Sequence, residues 1–170
     1  LMTALWPDSK PTPSTFNSTV SRARGCLGKD SNGNSYLPSS QDGSAYRVLP
    51  SVGTDAERFE KLTTKASTAS TPIAIELLTK ALQLVRGLPF LDSDGCFGWA
   101  HTEGFVSDLM ATIADAAHQL ATLSLENEDP AKARWAAKQG LLACPGFEVL
   151  YRDQMLAFDQ EGNTAGIDAV

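Results

Sequence analysis

"TFNSTVSRARGCLG", residues 15–28, sets the first half of the fold, because its spacing predicts a helix with two unlike faces. One apolar stripe contains four residues at helical spacing: Phe16, Val20, Ala23 and Leu27. The opposite side carries short polar side chains and two arginines: Asn17, Ser18, Ser21, Arg22 and Arg24. We expect the stripe to be buried and the polar side to be exposed.

Both ends of this helix have residues that favour a boundary. Ser14 or Thr15 is the predicted N-cap, because a hydroxyl oxygen there can accept an early backbone N–H. Gly28 is the predicted C-terminal stop. Upstream, "LMTALWP" reads as the end of an earlier helix stopped by Pro7, so the sequence predicts a helix–turn–helix arrangement.

A β-hairpin is predicted after the helix. The stretches "NGN" and "QDG" contain residues that favour turns, since Asn, Asp and Gly tolerate positive φ. "SYLP" and "AYRVL" are short strand candidates around the second turn. Residues 1–50 therefore read as a partial winged-helix DNA-binding domain, with the hairpin as its wing.

The polar side of the 15–28 helix has residue types that suit a DNA major groove. Arginine and asparagine can pair with base edges, while serine contacts phosphate. Arg47, on the predicted wing, could reach a neighbouring phosphate. The candidate DNA-binding residues are Asn17, Ser18, Ser21, Arg22, Arg24 and Arg47. Composition alone favours an ordinary solvent-facing surface over DNA binding, because two arginines on a helix are common.

Charge is distributed unevenly along the chain. The 170 residues carry a net charge of −6, but the first fifty hold five Lys or Arg against three Asp, a net +2. The remaining residues therefore hold −8. Overall acidity does not exclude DNA binding by the front segment, whereas the acidic remainder is not expected to contact phosphate.

Residues 51–170 read as helical throughout. The clearest helix carries Phe105, Leu109, Ile113, Ala116, Leu120 and Leu123 on one stripe. "EDPAKARWA" at Glu128 and "GNTAGIDAV" at Gly162 are offset by 34 residues, the period of tetratricopeptide repeats. The predicted fold class is mostly α, with a partial winged helix followed by a tetratricopeptide-like helical domain.

Sequence patterns for catalysis, metal binding and membrane insertion are missing. The sequence has no Gly-rich phosphate loop and no nucleophile or zinc-protease motif, so we expect neither an enzyme nor a cofactor. Cys26, Cys96 and Cys144 are widely spaced and expected to be small buried hydrophobic residues, with no metal site. No apolar run reaches ~18 residues, so we expect no membrane contact by this segment. The odd number and wide spacing of the cysteines favour a cytoplasmic location. Because Leu1 is not an initiator Met, we also expect a fragment of a longer protein.

The order of these motifs resembles a known family of regulators. "LMTALWPD", "TFNSTVSRARGCLG" and "AYRVLPSVGTDAERFEKL" resemble the second half of a winged helix of the response-regulator output type. "ALQLVRGLPFLD", Trp99, Glu103 and "LYRDQMLAFDQEGNTAGIDAV" resemble the bacterial transcriptional activator domain. Together they are similar to the Streptomyces antibiotic regulatory protein family.

The resemblance implies a transcriptional regulator with a DNA-binding front and a helical, activating back. The family pattern V-S-R-x-R falls on residues 20–24, which makes Arg22 and Arg24 the first candidates for contact with double-stranded DNA. The helical domain would bind RNA polymerase or another protein, and a homodimer is possible. The alternative is a protein-interaction scaffold, part of a larger and possibly membrane-anchored protein, with no retained DNA binding.

Overall fold

A computed structural model of the chain describes residues 5–6, 8–39, 45–91 and 97–170. It divides into two compact units, Leu1–Thr54 and Asp55–Val170, called unit 1 and unit 2 below. The sequence places the boundary after residue 50, whereas the units divide after Thr54. In the described ranges the assigned elements are helices, which confirms the predicted mostly α fold.

The helices follow the chain in this order. Unit 1 contains α1 (Pro13–Leu27). Unit 2 contains α2 (Asp55–Ala66), α3 (Thr71–Leu82), α4 (Gly98–Thr102), α5 (Phe105–Glu126), α6 (Pro130–Ala143), α7 (Glu148–Gln160) and α8 (Thr164–Asp168).

Helix α1 starts earlier than the sequence predicts. Its N-cap is Thr12, whose side chain accepts the backbone N–H of Thr15 at 3.2 Å, and not Ser14 or Thr15. Pro13 occupies the first turn, where its missing N–H costs nothing because that group would have no helical partner. The predicted stop is confirmed at Gly28, whose φ of 76° suits a residue without a Cβ.

The predicted β-hairpin is not present as paired strands in the described residues. The segments 35–38 and 45–49 are joined by one backbone hydrogen bond, from Leu49 N–H to the Tyr36 carbonyl at 2.9 Å. Leu37 instead bonds to the Ser35 hydroxyl through its N–H (3.3 Å) and its carbonyl (3.0 Å). Such local side-chain bonds compete with a strand ladder. Residues 40–44, with the predicted "QDG" turn, lie outside the described residues.

The core of unit 2 is built mainly from α5, α6 and α7. Helices α5 and α6 make the most extensive contact, and α7 packs against both of them. Helix α3 joins the other side of α5, with α2 packed on α3. The interior is one continuous cluster in which Leu78, Leu82, Leu120 and Leu150 are completely buried.

Small residues allow the central helices of unit 2 to approach closely. Ala133, Ala136 and Ala137 are fully buried on α6. A Cβ added to Gly140 would lie only 2.6 Å from the Ala117 Cβ and 2.8 Å from Leu150 Cδ1. Glycine is therefore required at this position by the distance between α5, α6 and α7.

The two segments offset by 34 residues have the same cap chemistry. Asp129 accepts the backbone N–H of Lys132 at 3.0 Å and starts α6. Asn163 accepts the backbone N–H of Gly166 at 2.9 Å and starts α8. The shared cap supports the sequence repeat, while a tetratricopeptide-like arrangement stays a prediction.

Candidate nucleic-acid interface

The inward side of α1 is held by aromatic contacts. Phe16 lies 6.2 Å from the ring of Trp6 and 5.7 Å from the ring of Tyr46, between centroids, and both pairs are tilted. Such geometries are favourable for aromatic rings. Val20, one turn further on, is 6% exposed. These two side chains fix which side of α1 faces inward.

The predicted apolar stripe is only half buried. Phe16 and Val20 face inward as expected, but Ala23 and Leu27 are exposed, Leu27 by 39%. Periodicity shows that these residues share a stripe, but it does not determine how far along that stripe the rest of the chain packs.

The outward side of α1 carries four of the predicted site residues. Asn17, Ser18, Ser21 and Arg22 are all exposed. Gly25 lies beside them, and a Cβ added there would have no atom within 4 Å. These residues form a ridge of short polar side chains that also includes the longer side chain of Arg22. This surface is called the polar ridge below.

Arg24 has a different position from its neighbours. Its Nε–H donates to the Leu37 carbonyl at 2.7 Å, and the side chain is half buried. The guanidinium therefore ties the last turn of α1 to the segment that follows it. A cation in that turn is also favourable for the partial negative charge at a helix C-terminus. The sequence gives no sign of this bond, because Leu37 is thirteen residues away.

Arg47 is exposed in the segment between Ala45 and Leu49. Its neighbour Tyr46 is half buried against Phe16, which anchors this segment to the inward side of α1. The described residues thus leave Arg47 accessible.

An acidic residue follows α1 but its oxygens face its own turn. The Asp30 carboxylate accepts the backbone N–H groups of Asn32 (2.9 Å) and Asn34 (2.8 Å) and the Asn34 side-chain amide (3.1 Å). These bonds, with that from the Asn34 side chain first, lower the pKa of Asp30 below its usual 3.8. The carboxylate stays ionised and stabilises the turn after α1.

Two groups of types that often take part in catalysis, a thiol and an imidazole, have structural partners in unit 2. Cys144 is buried, burial raises the pKa of its thiol to about 11, and its Sγ–H donates to the Met110 carbonyl at 2.9 Å. His118 Nδ1 lies 2.7 Å from Asp153 Oδ2, a contact between α5 and α7. Cys26 is exposed, contrary to the expectation of burial, and Cys96 lies outside the described residues.

Within the described ranges, no three or more His, Cys, Asp or Glu side chains come together in a way that could hold a metal ion. Among the helices of the same ranges, none has the length and apolarity that crossing a bilayer requires.

Comparison with known proteins gives no match: no family model matches the sequence, and no curated protein or solved structure is significantly similar to the chain.

Proposed function

We propose that this chain is a transcriptional regulator whose unit 1 binds double-stranded DNA and whose unit 2 binds protein. The observation that carries the proposal is the polar ridge on α1. Its side chains are exposed while Phe16 and Val20 hold the other side of the helix inward. The ridge has the small polar residues and the arginine expected of a helix that enters a major groove.

Each residue of the ridge has a role in this proposal. Arg22 and Asn17 would read base edges, because both can form paired hydrogen bonds with a base. Ser18 and Ser21 would contact phosphate and fix the helix along the duplex. The open space at Gly25 would allow the DNA backbone to come close to the helix.

The two remaining arginines would support this contact from either side. Arg47, exposed in its segment, would bind a phosphate outside the groove. Arg24 would act mainly through its hydrogen bond to Leu37, which positions the end of α1, and its other N–H groups could still reach a phosphate.

Unit 2 supplies the surface for a protein partner in this proposal. Three large apolar side chains on α6 and α7 are exposed, namely Leu142 by 44%, Met155 by 40% and Leu156 by 50%. RNA polymerase or another protein, or a second copy of the chain, would cover them. The same side chains also favour the alternative function, a scaffold that makes only protein contacts.

The first experiment measures the affinity of the whole chain for duplex DNA between 50 and 200 mM salt. Phosphate contacts release counterions, so the affinity should fall steeply over that range. Arg22→Ala should weaken binding by ~1–3 kcal/mol, as for an arginine that contacts a base. Arg58→Ala removes the same charge from an exposed position on α2 and should leave the affinity unchanged. Equal affinities for all three proteins would favour the scaffold.

A second variant tests the shape of the interface without changing its charge. Gly25→Leu places a bulky side chain in open space on the polar ridge, so the chain should still fold. The same side chain should prevent the DNA backbone from approaching α1 and should therefore abolish DNA binding. Ala131→Leu, at an exposed position on α6, is the matched control. Loss of DNA binding by the first variant alone supports docking through α1.

A further inference from the structure

Unit 2 contains a cavity of about 350 Å³ that no function discussed so far uses. It lies between α2, the residues that follow α3, and the first half of α5. The walls are mostly apolar and include Phe59, Leu84, Val85, Leu88, Leu109 and Ile113. A cavity of this size and lining is in the range of small-molecule sites.

One wall of the cavity is fixed by an unusual backbone conformation. Phe90 lines the cavity and has a φ of 54°, a left-handed value that costs energy for a residue with a Cβ. Its ring packs edge-on against Phe97 at 5.7 Å and against Trp99 at 5.9 Å between centroids. These contacts hold the strained residue in place, so the wall is built before any ligand arrives.

The rim of the cavity has one pair of charged groups. Arg86 Nη2 donates to Asp55 Oδ2 at 2.7 Å, and both residues line the cavity. The side chains are 79% and 55% exposed, respectively, so solvent reaches them. A guanidinium has five N–H donors, and a single carboxylate does not use all of them. Arg86 can therefore bind an added anion and keep its hydrogen bond to Asp55.

Apolar surface near this rim is left facing water. Leu88 is 42% exposed, Leu91 75% and Phe97 39%, and all three belong to the lining. Exposed apolar patches bordered by charge commonly mark binding sites. An occupant that covers them must be apolar over most of its surface and carry its charge at one end.

We propose that this cavity binds a small organic acid with an apolar body, whose anionic group pairs with Arg86. The body would lie against Leu84, Leu109 and Ile113, and the acid group would remain at the solvent-facing rim. All of these residues belong to unit 2, so the inference is independent of DNA binding by unit 1.

Two fluorescent probes that differ in charge test the proposal. Anilinonaphthalene sulfonate has an aromatic body and an anionic group, and phenylnaphthylamine is its uncharged analogue. We expect both to bind the whole chain at one site. Arg86→Gln should lower the affinity for the sulfonate by about five- to tenfold. The affinity for the uncharged probe should change by less than about twofold. Equal weakening of both probes, or of neither, would overturn the assignment of an acid.

A second pair of variants tests whether the probes occupy the cavity. Ala56→Phe adds a ring at a half-buried position of the lining, and it should lower the affinity for both probes by at least about tenfold. Leu142→Phe adds a ring to an exposed position on α6 and should change neither affinity. Unchanged binding to the Ala56 variant would exclude the cavity.

A measurement on the unaltered chain covers the case in which Ala56→Phe fails to fold. Saturating sulfonate should shift the methyl resonances of Leu84, Leu109 and Ile113, which line the cavity. The methyl resonances of Leu142 and Leu156 should not shift. Shifts confined to those last two residues would contradict the proposal.

Discussion

The two units bury their side chains to very different extents. Among the described residues of unit 1, Val20 and Leu37 are the buried hydrophobic side chains, and the aromatic rings around Phe16 are only half covered. In unit 2 one continuous buried cluster runs through α2, α3, α5, α6 and α7. Small units bury a smaller fraction of their surface and are correspondingly less stable.

This difference teaches which features each unit can support. In unit 1 most of α1 faces outward, so its sequence is free to carry a polar ridge. In unit 2 the interior constrains the buried sides of α5 and α6, and binding features lie on exposed side chains and in the cavity. We therefore expect substitutions in unit 2 to affect stability and those on the ridge to affect binding.

The largest expected effect is the loss of a leucine from the unit 2 interior. Leu120→Ala removes a completely buried side chain and should lower the free energy of unfolding by ~2–5 kcal/mol. Leu142→Ala, on the exposed side of α6, should change it by less than ~0.5 kcal/mol. Urea denaturation followed by circular dichroism measures both. Equal losses would contradict the burial pattern described for α5 and α6.

Replacing glycine by alanine should lower the stability of unit 2 at one position and raise that of unit 1 at another. Gly140→Ala forces α5, α6 and α7 apart and should lower the free energy of unfolding by ~1–3 kcal/mol. This loss should exceed the gain from the better helix propensity of alanine. Gly25→Ala has open space and should stabilise α1 by ~0.5–1 kcal/mol. Thermal unfolding of both variants gives the comparison. A stabilising Gly140→Ala would show that the helices of unit 2 pack less closely.

Helix positions followed well from the sequence, but contacts across the chain did not. The end of α1 at Gly28 follows from local chemistry, and Ile113, Ala116 and Leu120 share the buried stripe predicted for α5. Phe105, on the same predicted stripe, is 54% exposed, although its ring packs edge-on against Trp99 at 5.8 Å between centroids.

At the candidate site, too, local sequence patterns predict which side chains are exposed but not which distant residues they contact. Exposure of Asn17, Ser18, Ser21 and Arg22 follows from helical periodicity once Phe16 faces inward. The bond from Arg24 to Leu37 depends on where the following segment lies, which periodicity does not determine. The cavity of unit 2 depends on three separate stretches of chain, so no local pattern marks it.

A smaller effect is expected from the interior of unit 1. Val20→Ala removes two methyl groups from a buried position and should cost ~1–2 kcal/mol. Hydrogen exchange should accelerate in α1 and remain unchanged in α5, because the two helices belong to different compact units. Val48→Ala, at a position 49% exposed in unit 1, is the control. Acceleration in α5 as well would mean that the units unfold together.

The smallest effect concerns the pH dependence of unit 2. Asp153 is 2% exposed, and burial raises the pKa of its carboxyl above the usual 3.8, opposed by the hydrogen bond from His118 and the charges of His118 and Arg152. The folded state therefore holds this proton more tightly than the unfolded chain does. Its contribution to stability is fully present below pH 3.8 and is lost as the pH rises through the raised pKa.

Asp153→Asn removes this titration while keeping a polar side chain beside His118. We therefore expect the variant to gain stability relative to the parent chain as the pH rises from 3.8 towards neutrality, measured as the difference in free energy of unfolding. Asp115→Asn, at an exposed position on α5, makes the same change in net charge and controls for it. A difference that does not vary with pH, or that falls as the pH rises, would mean that the contact with His118 outweighs burial. Asp153 would then stabilise unit 2 as a carboxylate, in an interior that is mostly apolar.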